Sequence, residues 1–219
     1  YGGGGWNLLG NPYTSAFSVS EFIAANYSDT PSLSQFDPNY VALYLYNGSK
    51  YYWVGIDDGW LNGTGMNEDQ IQVGQGFFAL AMNDASTFTF TRSMQEHATD
   101  VLLLKSASVD DGPMPGLMLR VKNENEENST LVIYKENMTA GLDPGYDVGL
   151  LSSGRAVEIY TTLAEKDNSV NFIRQALPVE DADKILVPVG IDSELGGEMT
   201  FSAVTVPLGS NKFWLEDRN

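Results

Sequence analysis

The stretch from residue 51 to residue 60 combines aromatic rings with carboxylates, the residue types that hold sugars in water. Its rings and acids are Tyr51, Tyr52, Trp53, Asp57, Asp58 and Trp60. An aromatic face covers the apolar side of a sugar ring, and neighbouring polar groups bond its hydroxyls. The candidate glycan platform is therefore Tyr51, Trp53 and Trp60 with Asp57 and Asp58. The alternative is that these rings belong to the core of a sheet.

Strand alternation separates the aromatic residues into two faces. It places Tyr51 and Trp53 on one face and Tyr52 and Val54 on the other. Because Val54 is the more usual core residue, we expect Tyr52 and Val54 to point inward. Tyr51 and Trp53 would then point outward, where Trp60 could join them.

Other acidic residues suggest a cation site but not a hydrolytic one. Asp143 and Asp147 flank a segment freed by Gly141 and Gly145, and carboxylates with loop carbonyls suit Ca²⁺. They are weak calcium candidates, and no metal site is assigned. Glycosidase chemistry needs two carboxylates converging across a cleft, whereas adjacent acids on turns usually point apart into solvent.

Nucleophilic catalysis has no supporting residues. The only histidine, His97, lies in a polar connector, and no nucleophile elbow occurs in the chain. The absence of cysteine excludes thiolate metal sites and thiol nucleophiles. We therefore expect a non-enzymatic protein without a cofactor.

The charge balance excludes two classes of partner. Lys and Arg number 12 against 29 Asp and Glu in 219 residues, a net charge of −17. Nucleic acid and anionic lipid are improbable partners, because both need clustered basic residues. No apolar run approaches the 18 or more residues of a membrane helix, so no direct membrane insertion is expected.

The elements are mostly short strands. Ser18 and Glu21 form a capping-box pattern that predicts one helix over about 18–26. Asn47-Gly48 predicts a hairpin turn, and a second hairpin is predicted to join 75–80 to 87–90. Further strands are predicted at 101–106, 117–122, 130–135, 157–163, 170–176, 185–189, 199–204 and 213–215.

This pattern predicts an all-β fold made of two antiparallel β-sandwich, jelly-roll-like domains with one short helix near the N-terminus. The polar stretch around residues 93–99 divides the chain. The predicted domains are a β-rich N-terminal domain, 1–97, and a C-terminal β-sandwich domain, 98–219.

Motifs in both halves resemble one class of protein. They include 5–13 (GWNLLGNPY), 73–78 (VGQGFF), Phe90 to His97, 119–121 (LRV), 141–147 (GLDPGYD), 176–178 (ALP), 187–190 (VPVG) and 215–217 (LED). The chain resembles the β-rich modules near the C-terminus of large secreted Bacteroidetes surface proteins, a type that often precedes a type IX secretion sorting domain. The resemblance implies β-sandwich folds, export, and a structural, adhesive or accessory role. It supplies no catalytic residues.

We expect a non-enzymatic module of a larger secreted or cell-surface bacterial protein, with an adhesive, spacer or presentation role. The alternative is a carbohydrate-binding module that uses the aromatic platform. The expected location is extracellular or at the outer-membrane surface. Expected partners are surface glycans, host or extracellular proteins, and flanking domains of the same polypeptide, since the sequence reads as a piece of a longer chain.

Overall fold

The computed structural model describes most of the chain. The described residues are 5–48, 50–56, 70–96, 114–124, 126–154, 157–164, 169–180, 182–194, 196–206, 208–209 and 213–217. Asp57, Asp58, Trp60, His97 and the predicted strand 101–106 lie outside them.

The described residues form two compact units. The first contains the described residues up to Glu96 together with the segment Pro144–Ser153. The second contains the described residues from Met114 onward, apart from that segment. The predicted domain boundary at 97–98 falls outside the described residues. The return of Pro144–Ser153 to the first unit has no counterpart in the predicted domains.

The first unit is built on a four-stranded antiparallel sheet. Its strands are β1 (Trp6–Gly10), β3 (Leu43–Tyr46), β4 (Tyr51–Val54) and β6 (Gly76–Leu80), in the order β1-β6-β3-β4. A smaller sheet has the order β5-β2-β7, formed by β2 (Ala16–Ser18), β5 (Gln70–Ile71) and β7 (Gln95–Glu96). The predicted hairpin at Asn47-Gly48 joins β3 to β4, with Gly48 at φ 92°.

The helix α1 (Val19–Asn26) lies where the capping box predicts it. The Ser18 hydroxyl accepts a hydrogen bond from the backbone N–H of Glu21 at 3.3 Å, which satisfies one of the free N–H groups of the first turn. Its buried face packs into the main core of the first unit. That core combines α1 with both sheets and includes Phe17, Val19, Phe22, Ile23, Phe36, Leu43, Leu45, Val54, Ile71, Phe77 and Met94.

The predicted second hairpin is wrong in its returning strand. Residues 87–90 have no strand assignment, although Phe88 and Phe90 pack against the core. The backbone of Thr89 is bonded instead by the Asn26 side chain, which accepts from its N–H at 2.6 Å and donates to its carbonyl at 2.9 Å. A carboxamide thus replaces the neighbouring strand at this position.

The second unit is also built on strands. These are β8 (Gly116–Lys122), β9 (Glu127–Lys135), β11 (Val157–Thr161), β12 (Phe172–Pro178), β13 (Val189–Ser193) and β14 (Thr200–Val206). Their order is β13-β11-β12-β9-β8-β14. Among the described residues, 185–188 and 213–215, which were predicted to lie in strands, have no strand assignment.

One pair in this sheet, β9 and β12, is parallel, a departure from the predicted antiparallel pairing. Parallel strands need a long connection. The chain between β9 and β12 supplies it, and that connection contains the short strand β10 (Val148–Gly149) of the first unit. The all-β fold with a short helix near the N-terminus is confirmed.

Candidate functional site

Both faces of the four-stranded sheet in the first unit carry apolar side chains. One face, carrying Leu43, Leu45, Val54 and Phe77, lies against the core. Residues directly opposite one another in an antiparallel ladder share a face. The register therefore gathers Trp6, Leu8, Tyr44, Tyr46, Tyr51, Trp53, Phe78 and Leu80 on the second face.

The segment Pro144–Ser153 lies against one end of this second face. The Tyr44 hydroxyl donates to the Gly149 carbonyl at 2.7 Å, and the Gly149 N–H donates to the Asn39 carbonyl at 2.8 Å. A Cβ at Gly149 would overlap the Tyr40 ring, so a larger residue there would force that ring to move. Burial, with a contribution from the Asp37 charge, raises the pKa of Tyr40. Trp6 completes this end, with its ring edge-on to Tyr44 at 5.0 Å.

Trp53 is buried at the same end of the sheet. Only 6% of its surface is exposed, so the expectation that it points into solvent is wrong. The alternation itself holds, because Trp53 and Val54 lie on opposite faces, but each of those faces is covered at this point. The structure thus removes Trp53 from any open platform, while Trp60, Asp57 and Asp58 lie outside the described residues.

The other end of the second face is open. Leu8 is 67% exposed and Tyr46 is 55% exposed, and half-buried Tyr51 and Phe78 lie beside them. The ring centroids of Tyr46 and Tyr51 are 5.0 Å apart, and those of Tyr51 and Phe78 are 5.7 Å apart. Leu8 lies directly opposite Phe78 in the β1–β6 ladder. We call these four residues the aromatic strip.

The β3–β4 hairpin carries polar groups on the other side of the sheet from the strip, because Tyr52 lies opposite Leu45 in the ladder. The Asn47 side chain accepts from the Lys50 N–H at 2.8 Å and donates to the Tyr52 hydroxyl at 2.8 Å. The Lys50 ammonium lies 5.2 Å from the centre of the Tyr52 ring. Tyr52, which was expected to point inward with Val54, is half-buried, whereas Val54 is in the core.

Of the predicted site residues, only Tyr51 therefore belongs to the aromatic strip. Sequence reasoning missed Leu8, Tyr46 and Phe78, because they come from three separate strands. Period-two alternation within β3 and β6 placed Tyr46 and Phe78 on one face or the other. The sequence indicated that β3 and β4 are neighbours, but not that β6 and β1 follow them in the sheet or which half of a face is covered.

The calcium candidates occupy different surroundings. The Asp143 carboxylate accepts from the Thr139 N–H at 2.6 Å and from the Thr139 hydroxyl at 3.1 Å, and it closes a turn in this way. Asp147 is fully buried and belongs to the first unit, whereas Asp143 belongs to the second. Within the part of the chain that the structure describes, no three His, Asp or Glu side chains cluster as a metal site would require.

Two buried polar side chains in β12 were not singled out from the sequence. Arg174 and Gln175 are each 1% exposed. Burial, together with the positive charge of Arg174, lowers the pKa of Lys135 on the neighbouring strand β9. Such residues are unusual in a core, but nothing in the local sequence distinguishes them from solvent-facing strand positions.

Among the described residues, no helix is long and apolar enough to span a membrane. The helix α1 has only eight residues.

Comparison with known proteins gives a family and no function. No curated protein and no solved structure matches the chain. One family, described as a domain of unknown function (DUF8693), matches residues 3–209, which is nearly the whole chain and includes every strand of both units. The chain therefore belongs to the family described as Domain of unknown function (DUF8693).

Proposed function

We propose that this chain is a non-enzymatic module of a larger secreted or cell-surface bacterial protein, and that it serves adhesion through the aromatic strip. The single observation that carries the proposal is the open end of the sheet. Large apolar side chains lie there side by side, in a region where the other half of the same face is covered. Apolar groups clustered in this way mark binding sites more often than scattered ones do.

The strip rests on a rigid support. Its four residues come from β1, β6, β3 and β4, the four strands of one hydrogen-bonded sheet. The opposite face of that sheet is fixed by the core of the first unit. A backbone that a regular sheet already holds loses little conformational freedom on binding, which favours affinity from a small contact.

The placement outside the cell is supported by the resemblance in both halves of the chain to modules of secreted Bacteroidetes surface proteins. The net charge of −17 is compatible with an exported, highly soluble surface. A spacer or presentation role would use the same fold without needing the strip. The strip is therefore the feature that favours adhesion over a purely mechanical role.

The second candidate function is carbohydrate binding. Tyr46 and Tyr51 present two neighbouring rings, each with its own hydroxyl group. Rings with nearby polar groups are a common means of holding sugars. The platform then consists of Tyr46 and Tyr51, while Trp53 lies on the same face at its covered end and takes no part in binding.

The test compares binding to a glycan array and to a panel of extracellular matrix proteins. We expect the wild type to bind a member of one panel and Tyr46→Ala and Leu8→Ala to weaken that binding at least about tenfold, as central interface residues do. The matched control is Val73→Ala, which removes an equally exposed apolar side chain (59%) outside the strip. Equal weakening in Val73→Ala, or no wild-type binding to either panel, would contradict the adhesive role.

The non-enzymatic part has a separate test. The chain is assayed against a broad panel of glycoside, ester and peptide substrates. We expect no turnover above that of the heat-denatured protein. Reproducible turnover that a single carboxylate substitution abolishes would overturn this part of the proposal without bearing on the strip.

A further inference from the structure

The strand β14 ends the sheet of the second unit. It pairs with β8 along its whole length, from Thr200 opposite Lys122 to Val206 opposite Gly116. No described strand pairs with its other edge. The backbone N–H and C=O groups of an outer edge are a ready template for another strand.

The exposure of β14 is unusual for a seven-residue strand. Each residue from Thr200 to Thr205 is exposed, with Phe201 at 43% and Val204 at 46%. Because side chains alternate along a strand, Phe201 and Val204 lie on opposite faces. An added strand would therefore gain an apolar contact on each face.

The sequence of β14, Thr-Phe-Ser-Ala-Val-Thr-Val, contains none of the usual protective devices. Edge strands are normally guarded by charge, proline, a bulge or short length. The strand at the opposite end of the sheet, β13, is shorter and carries Gly190 and Asp192. The contrast between the two ends indicates an edge that accepts pairing.

The net charge of the chain indicates which kind of partner strand the edge of β14 would attract. Two copies of this chain, each with a net charge of −17, repel one another, whereas a basic segment is attracted. Glu198, exposed two residues before β14, adds negative charge near its start. We infer that the outer edge of β14 accepts an added β-strand from an extended, basic segment of a partner protein. This site is separate from the aromatic strip and does not depend on the proposed function.

When a strand is added to a sheet edge, affinity and specificity have different sources. Main-chain hydrogen bonds supply affinity, and pockets for alternate side chains supply specificity. Here the partner would place one apolar side chain beside Phe201 and another beside Val204. Its basic residues would flank this short core and respond to salt.

The test uses the full chain labelled with ¹⁵N and three synthetic peptides. One has a Thr-Val-Thr-Val-Thr centre flanked by lysines. The second is the same peptide with every backbone nitrogen of its centre methylated, so that neither of its edges can pair, and the third has glutamates in place of the lysines. We expect the lysine peptide to shift the amide signals of 200–206, and to bind at least about tenfold more tightly than each of the other two at low salt.

Two variants locate the edge. Ala203→Lys places a positive charge in the middle of β14 and should weaken the lysine peptide by about tenfold or more. The matched control, Ile191→Lys, places the same charge on exposed β13 and should leave binding within about twofold. The methylated peptide tests the wild type, so the experiment remains decisive if Ala203→Lys fails to fold.

Four results would overturn the inference. They are equal binding of the methylated peptide, no binding of the lysine peptide at about millimolar concentration, slow hydrogen exchange in the free monomer at the β14 amides that point away from β8, and self-association that Ala203→Lys abolishes. The third would mean that this chain already covers its own edge. The fourth would assign the edge to a second copy.

Discussion

At the scale of single residues, Asn26 links two segments that are far apart in the sequence. It ends α1 and is buried, and its amide donates to the Phe22 carbonyl at 2.8 Å as well as to the Thr89 carbonyl. Its side-chain oxygen accepts from the Thr89 N–H. A single carboxamide therefore satisfies backbone groups that would otherwise be paired by a strand.

Asn26→Ala should lower the free energy of unfolding by about 2–4 kcal/mol, because it leaves buried backbone groups without partners. Urea denaturation of wild type and variant measures the loss. The matched control is Asn47→Ala at the exposed β3–β4 turn, where water replaces the lost bonds and the cost should be below about 1 kcal/mol. Equal losses in the two variants would show that Asn26 does not hold 87–90 in place.

Several tyrosines have a higher pKa in the folded protein than in the unfolded chain. Burial raises the pKa of Tyr27 to about 12, helped by the hydrogen bond to Asp29 and by the charge of that carboxylate. Burial is also the main cause of the raised pKa of Tyr13, Tyr134 and Tyr160. The folded protein thus holds these phenol protons more tightly than the unfolded chain does.

The stability that these tyrosines contribute is complete below their unfolded pKa of about 10 and is lost as the pH rises through the folded values. We expect the free energy of unfolding to fall between about pH 10 and 12, measured by urea denaturation across that range. Tyr27→Phe should show a smaller fall over the same window. An unchanged pH dependence in Tyr27→Phe would show that Tyr27 does not contribute.

At the scale of elements, the four-stranded sheet uses its second face in two ways. The end near Pro144–Ser153 is buried, and the end that carries the aromatic strip is open. Trp53 and Tyr46 lie on the same face of the sheet, but Trp53 is at the buried end and Tyr46 is at the open end. Their substitutions should therefore have different consequences.

Trp53→Ala should cost about 3–5 kcal/mol, the usual loss for a large aromatic residue removed from a core. Tyr46→Ala should change stability by no more than about 1 kcal/mol, because the side chain is mostly in water. Thermal unfolding of the two variants measures both effects. A stable Trp53→Ala variant would return Trp53 to the list of candidate ligand-binding residues.

The segment Pro144–Ser153 depends on close packing at Gly149. Gly149→Ala forces its Cβ against the Tyr40 ring, and overpacking of this kind costs about 1–3 kcal/mol. Gly10→Ala is the control, because a Cβ at Gly10 would meet nothing within 4 Å. We expect a lower melting temperature in Gly149→Ala only, and an equal drop in both variants would contradict the packing explanation.

At the scale of the whole molecule, charge is the dominant feature. With 29 acidic side chains against 12 basic ones, self-repulsion opposes folding at neutral pH. Sodium chloride shortens the range of that repulsion. Each kilocalorie per mole recovered should raise the melting temperature by about 2–4 °C in a chain of this length.

We therefore expect sodium chloride to raise the melting temperature at pH 7 and calcium chloride to do no more at matched ionic strength. Scanning calorimetry in the two salts provides the comparison. A further rise in calcium alone, lost in Asp143→Ala or Asp147→Ala, would establish a calcium site. A melting temperature that falls with sodium chloride would contradict the role of self-repulsion.

The sequence by itself determined those features that depend on near neighbours in the chain. Ser18 and Glu21 specified the start of α1, Asn47-Gly48 specified the β3–β4 turn, and period-two alternation specified most strands. Each rests on contacts within a few residues, so the pattern carries the information. The all-β class follows from the sum of these local preferences.

Tertiary structure alone decided what covers each strand face. Residues 87–90 alternate like a strand, yet Asn26 bonds their backbone, and Trp53 alternates outward, yet it is buried. The parallel pairing of β9 with β12 and the return of Pro144–Ser153 to the first unit are likewise long-range. Period-two alternation states that two faces exist. Only the packing of distant segments decides which parts of those faces meet water, and so which residues form the aromatic strip.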